Sequence, residues 1–438
     1  MKKYLAKFEN EAAYDEFKAG EDFVTPNVSW CVEEDSVKWN PIVPVPPQHD
    51  YSQDYFTIVS TSDNNVIEWK ASDTSVAKTI SVSTDEGSTW TDVTSTTGDT
   101  TLATLNTGDK LLIKGSNTAY ATSSYYNYFT SSGQFNVEGN IMSLIYGDNF
   151  IGQTTLSETH IFKQLFYYNE NVVDTSNIIL PATTLTERCY DGMFRGCTSL
   201  TTAPELPATT LANYCYYSMF SHCASLTTAP ELPATTLANY CYLYIFSDCT
   251  SLTTAPELPA TTLASNCYES MFWNCTSLTT APELPATTLA ERCYSQMFRN
   301  CAALTTAPDL PATTLAQYCY NAMFQGCTSL VNAPTLPATT LVKSCYFGMF
   351  NGCTSLTTAP ELPATTLAES CYFNMFSGCT QLNYIKCLAT NISASSCLYN
   401  WVKNVQTTSG TFVKDPSMSS WTTGVNGIPS GWTVQDAS

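Results

Sequence analysis

Cysteine is the residue type whose placement first suggests chemistry. Nineteen occur in 438 residues, and seventeen fall in two columns with a spacing of 26. One column is Cys189, Cys215, Cys241, Cys267, Cys293, Cys319, Cys345, Cys371 and Cys397; the other is Cys197, Cys223, Cys249, Cys275, Cys301, Cys327, Cys353 and Cys379. Thiols ligate zinc in closely spaced pairs, whereas these stand eight apart with only His49, His160 and His222 to assist. The expectation is buried free thiols packing as small hydrophobes, with no metal and no cofactor. Carboxylates recur with the same period at Glu205, Glu231, Glu257, Glu283, Asp309 and Glu361, interrupted by Thr335. One carboxylate per unit falls short of a calcium shell, so this column reads as a solvated ladder. Acids that repeat without pairing, three scattered histidines and no glycine-rich phosphate loop leave no catalytic arrangement, and the chain is read as a binder, not an enzyme.

The aromatic residues divide into two sets. Tyr190 to Tyr372 and Phe194 to Phe376 recur in every unit and are assigned to the core. Tyr214, Tyr217, Tyr240, Tyr244, Trp273, Tyr318, Phe347 and Phe373 instead occupy positions that vary from unit to unit (187, 188, 191, 192, 195 and 196 in the first). These eight are the candidate ligand-binding residues, because tyrosine and tryptophan combine a large apolar face with a polar tip.

The element that must position them is the 26-residue unit itself. Leu180-Pro181-Ala182-Thr183-Thr184-Leu185 recurs from Leu206, Leu232, Leu258, Leu284, Leu310, Leu336 and Leu362. Such a period implies stacked units sharing one core. Leu185, Cys189, Met193 and Cys197 lie four apart, which predicts a short helix with these residues inward and the variable positions outward. Thr184 with Glu187, Thr288 with Glu291 and Thr366 with Glu369 fit a capping box at its start. Leu200, Ala203 and Leu206 predict an extended segment that stacks as a parallel ladder of about 5 Å per unit.

The fold class expected is an α/β leucine-rich-repeat solenoid of 26-residue repeats, preceded by a small N-terminal α+β module and a β-sandwich-like domain. Residues 1–40 form the module, with a helix over 11–19 between Asn10 and Gly20 and a hairpin of 28–32 and 37–39. Residues 41–50 are a proline-rich linker. Residues 51–150, with Thr79-Ile80-Ser81-Val82-Ser83, Lys110-Leu111-Leu112-Ile113-Lys114 and a turn within 83–90, form the sandwich. The solenoid covers 151–405, its degenerate ends beginning near Leu156 and finishing at Trp401-Val402. Residues 406–438 supply two capping strands at Thr411-Phe412-Val413 and Thr433-Val434.

The net charge of −20 disfavours nucleic acid, and no apolar run approaches bilayer-spanning length. The basic start, Met1-Lys2-Lys3, is interrupted by Lys7, Glu9 and Glu11 before an apolar export segment forms.

The unit Cys-Thr-Ser-Leu-Thr-Thr-Ala-Pro-Glu-Leu-Pro-Ala-Thr-Thr-Leu-Ala followed by Cys-Tyr-x-x-Met-Phe-x-x-Cys, as at 353–379, resembles the BspA-like leucine-rich repeat of gut and oral bacteria. The likeness covers about 180–402, with a unit longer than the commoner 23-residue form. It implies a surface protein that binds host matrix or other cells. The opening, with Phe23-Val24-Thr25-Pro26-Asn27-Val28-Ser29 and Val37-Lys38-Trp39-Asn40-Pro41, resembles virion proteins of phages of gut Bacteroidales, including crAss-like phages. Together the two resemblances imply a head fibre or capsid-decorating protein assembled in the bacterial cytoplasm. Residues 1–40 would bind capsid or other virion proteins, and the repeats would bind a bacterial surface or a mucin-type glycan or protein; homo-oligomerisation is left open. The alternatives are a bacterial surface adhesin and a carbohydrate-active enzyme that its repeats target.

Overall fold

The computed structural model describes residues 49–405 and 409–438. The expected helix, hairpin and most of the proline linker in the first 48 residues lie outside the described residues. Tyr51–Ser438 forms one compact unit.

Its first part is made of short strands, and the sheet they form extends past residue 150 to take in a strand at 172–179. β1 (Phe56–Ser60), β3 (Thr79–Ser83), β4 (Thr91–Thr94), β6 (Lys110–Lys114), β8 (Phe135–Asn140) and β9 (Val172–Ile179) form a sheet in the order β4-β3-β6-β1-β8-β9. β2 (Asn65–Ala71), β5 (Thr101–Leu105) and β7 (Asn127–Ser131) form a second, in the order β5-β2-β7. Inward residues of both sheets, among them Phe56, Ile58, Trp69, Leu111, Phe129 and Val137, are buried in one cluster. The β3–β4 hairpin turns through Glu86 and Gly87, both at positive φ, while Asp85 accepts from the Thr89 amide at 2.9 Å.

β9 joins this part to the repeats. It pairs in parallel with β8 on one side, and through Asp174 it bridges Thr202 on the other. From there, single parallel bridges link residues 26 apart: Thr202 to Thr228, Thr254 and Thr280, and later Asn332 to Thr358 and then Tyr384 of β10 (Tyr384–Cys387). A second column runs Thr184, Thr210, Thr236 and Thr262. The series ends in parallel pairing of β10 with β11 (Thr411–Lys414) and of β11 with β12 (Thr433–Asp436).

The predicted helix of each unit does not form. The only α-helix among the described residues is α1 (Ser143–Tyr146), and residues 186–197 and their equivalents are a chain of tight turns. Every fourth residue is left-handed: Arg188, Gly192 and Gly196 in the first unit, Tyr214, Ser218 and His222 in the next. The amides then alternate. Those of Cys189, Asp191, Met193, Arg195 and Cys197 close turns onto carbonyls three residues back, at 3.1–3.3 Å. Those of Arg188, Tyr190, Gly192, Phe194 and Gly196 instead donate to Asn213, Cys215, Tyr217, Met219 and Ser221 of the next unit, at 2.8–3.2 Å. An α-helix keeps all its interior amides within itself and so cannot be hydrogen-bonded to a neighbour in this way. The capping boxes have no helix to cap; Thr184 and Thr288 serve instead in the parallel bridges to Thr210 and Thr314.

The spacing of four still directs side chains inward, two residues in each turn. Cys189, Tyr190, Met193, Phe194 and Cys197 are all fully buried. The tyrosine column from Tyr190 to Tyr372 stacks with ring centroids 5.7–6.1 Å apart. Phe162 and Trp401 continue it at the two ends. The second cysteine column carries a specific hydrogen bond. Cys223 donates its thiol to the Phe194 carbonyl at 3.1 Å, and Cys249, Cys275, Cys301, Cys327, Cys353 and Cys379 repeat this with the phenylalanine 29 residues earlier.

All eighteen cysteines of the described residues are free and buried. Burial pushes the thiols of Cys215, Cys267, Cys319, Cys327, Cys379 and Cys387 up to about 12, so the reactive thiolate is scarce at neutral pH. A thiol reagent at pH 8 should therefore leave these eighteen almost unmodified in the folded protein, yet count all nineteen of the chain after denaturation without reductant. Recovery of only a few would mean that the columns are oxidised or liganded.

Candidate functional site

Each unit presents an arc of turns, and the sequence-predicted binding residues lie along it. Tyr214, Tyr240 and Tyr318 occupy its first left-handed position, and Tyr244 the second. Tyr217, Phe347 and Phe373 stand at the position equivalent to Asp191, and Trp273 at that equivalent to Arg195. All eight are half-buried, not fully exposed. The variable positions as a whole are less solvated than an outward helix face would be: Asp191, Ser218, Ser221, Ser247, Asn266, Glu269, Ser270, Ser295 and Ser344 are buried. Neighbouring arcs, hydrogen-bonded at every second amide, stand so close that small polar side chains are covered by the next unit. Ser221 and Ser247, for example, are 2.8 Å apart through their hydroxyls.

Five of the eight aromatics form one connected row over three consecutive units. Tyr214 and Tyr240 stack face to face with centroids 4.4 Å apart and planes 3° from parallel. Tyr217 stands edge-on to Tyr214 at 5.9 Å and to Tyr244 at 6.1 Å; Trp273 follows Tyr244 at 6.4 Å. Phe347 and Phe373 stack separately at 4.5 Å, and Tyr318 stands apart from both groups.

Three contributors were not identified from the sequence. Arg188 lies over Tyr214 at 4.0 Å and is anchored by Asp191 at 2.7 Å. Burial pushes the Asp191 carboxyl above the usual carboxylate range, and the hydrogen bond from Arg188 offsets this only in part. Arg292 likewise lies over Tyr318 at 4.3 Å, without the aspartate. Tyr399, which is 48% exposed, extends the Phe347–Phe373 stack at 4.8 Å. A signal for the arginines was present: Arg188 and Arg292 occupy the same position in their units, each followed one unit later by tyrosine.

Ring faces in this row are largely occupied by one another or by Arg188. The acidic column lies elsewhere in the unit: Glu205, Glu231, Glu257, Glu283, Asp309 and Glu361 are exposed, and Glu361 pairs with Lys386 at 3.1 Å. Among the described residues no three His, Cys, Asp or Glu side chains converge as a metal site, and no helix is long and apolar enough to cross a membrane.

Recurrent buried leucines, extended segments bridged in parallel and a recurring arc of turns make this a leucine-rich-repeat protein. A family profile for the BspA type leucine rich repeat region (six copies) matches residues 159–305 and 291–414, more than half of the chain, and the protein belongs to that family. No curated protein matches the chain.

Because the rings pack on one another, replacing them carries a stability cost. Tyr214→Ala removes both the Tyr240 stack and the Arg188 contact and should lower unfolding free energy by about 1–2 kcal/mol, measured by denaturant titration. An effect indistinguishable from zero would mean that the stack is absent in solution.

Proposed function

We propose that this is an adhesin-type repeat protein. In this reading its 26-residue units form a solenoid, and the arc of turns, centred on Tyr214, Tyr217, Tyr240, Tyr244 and Trp273, binds a bacterial surface or a mucin-type glycan or protein. The family membership supports the class, and the connected aromatic row supports the place. The row is the observation that carries the reading, because five large side chains contributed by three successive units form one surface that no single unit could present. The work assigned to it is binding, not catalysis. Occupied ring faces favour recognition through edges and hydroxyls over a sugar lying flat on every ring.

The likeness of residues 1–40 to phage virion proteins supports a finer reading, a head fibre or capsid decoration assembled in the bacterial cytoplasm. In that organisation residues 1–40 anchor to the virion, 41–50 link, 51–150 form a sandwich-like spacer, 151–405 are displayed and 406–438 cap the display.

Two measurements test these proposals. Changing the five aromatics together to serine should reduce binding to host cells or mucin-type glycans at least tenfold in a variant verified as folded; undiminished binding would refute the assignment of the turn arc. Deleting residues 1–47 should abolish incorporation into purified particles, read by mass spectrometry, while leaving the repeats folded. Particles that still carry the truncated chain would refute the anchor.

A further inference from the structure

The extended side of the units carries a second candidate surface, independent of the turn arc. Within residues 203–208 burial alternates: Pro204, Leu206 and Ala208 point inward, Glu205 and Pro207 outward. Two prolines in six residues remove two amide donors. Among the described residues no backbone hydrogen bond joins 203–208 to 229–234, or any later pair of these segments up to 333–338. The segments are thus tied to their neighbours by backbone bonds only near their ends.

A groove of about 320 Å³ lies between 333–337 and 360–363, walled by Pro334, Leu336, Pro337, Pro360 and Pro363. Two local departures accompany it. Thr335 stands where the other units carry an acid, so a short side chain borders the gap, and the next acid, Glu361, is engaged by Lys386. Beyond the groove runs the row Asp309, Glu283, Glu257, Glu231 and Glu205, all exposed and without an ion-pair partner among the described residues. The cations of residues 180–379, namely Arg188, Arg195, Arg292, Arg299 and Lys343, all lie on the turn arc. Lys386 on Glu361 shows that an ammonium group can pair with this row.

We propose that the groove docks a lysine- or arginine-rich segment of a partner protein, with one aromatic or aliphatic residue seated among the prolines and its basic residues along the carboxylate row. Charge complementarity selects this occupant: an acidic segment is repelled along the whole row, and a neutral apolar one leaves the carboxylates unused. The anchor supplies what the row lacks, since exposed carboxylates alone attract any cation weakly and without register.

The test uses the full chain and three fluorescein-labelled peptides: oligolysine led by Trp-Gly, the same oligolysine led by Gly-Gly, and oligoglutamate led by Trp-Gly. Fluorescence anisotropy at about 0.15 M salt reads the affinities. The tryptophan-led oligolysine should bind about tenfold tighter than the glycine-led one, and the oligoglutamate should not bind. Glu257→Gln, Glu283→Gln and Asp309→Asn combined should weaken both oligolysines about tenfold. Thr335→Glu, which restores the residue type of the other units and is therefore expected to fold, should narrow the groove and bring the two oligolysines to equal affinity. Equal affinities in the unaltered protein would reduce the surface to nonspecific cation attraction and overturn the proposal. So would a tryptophan advantage that survives Thr335→Glu.

Discussion

The division of backbone amides between a unit and its neighbour governs the rest of this structure. Half of the amides in each arc close a local turn and half reach the next unit. That alternation requires a backbone reversal every four residues, which is met by a residue at positive φ. L-residues resist that conformation by about 1–2 kcal/mol, with glycine exempt and asparagine, aspartate and histidine the best tolerated of the rest. The third left-handed position follows this rule throughout: Gly196, His222, Asp248, Asn274, Asn300, Gly326, Gly352 and Gly378. The first two positions are less strict and hold Tyr214, Tyr240, Tyr244 and Ala322, whose strain must be offset by the bonds and stacks around them.

From this constraint follow both the core and the surface. Amide bonding between units fixes the stacking, so each inward residue meets its own equivalent and the tyrosine and phenylalanine columns stack nearly parallel. The inward position filled by Cys223 lies beside the Phe194 carbonyl, which already accepts the Cys197 amide and has capacity for one more donor. A thiol fits there as a small apolar group with a weak donor, which accounts for cysteine where valine or alanine would fill similar space. On the outside, the same close approach covers the small polar residues and leaves the large aromatics to stack along the surface.

Much of this was legible in the sequence because stacking units repeat their demands. The two cysteine columns and the aromatic core columns lie where the periodicity puts them. The helix was misjudged because Leu185, Cys189, Met193 and Cys197 share a face under either geometry. A spacing of four drifts by about 40° per step on an α-helix, and the chain holds it without correction across every unit. The glycines, asparagines, aspartate and histidine at the position of Gly196 were the decisive sign; reading that position as one of a variable, outward set concealed it. The aromatic row was half legible: its members stood out at variable positions, but their mutual stacking and the covering Arg188 depend on distances between units that no single unit encodes.

Gly352 offers the most direct test of the governing constraint. It sits at φ 75°, and a Cβ placed there would meet only the Gly326 backbone at 3.8 Å, an ordinary contact, so conformation and not space decides the outcome. The measurement is the unfolding free energy of Gly352→Ala against the parent chain by denaturant titration. The left-handed arc predicts a loss of about 1 kcal/mol. A helical arc would instead gain about 1 kcal/mol from the same substitution, and a gain would contradict the account.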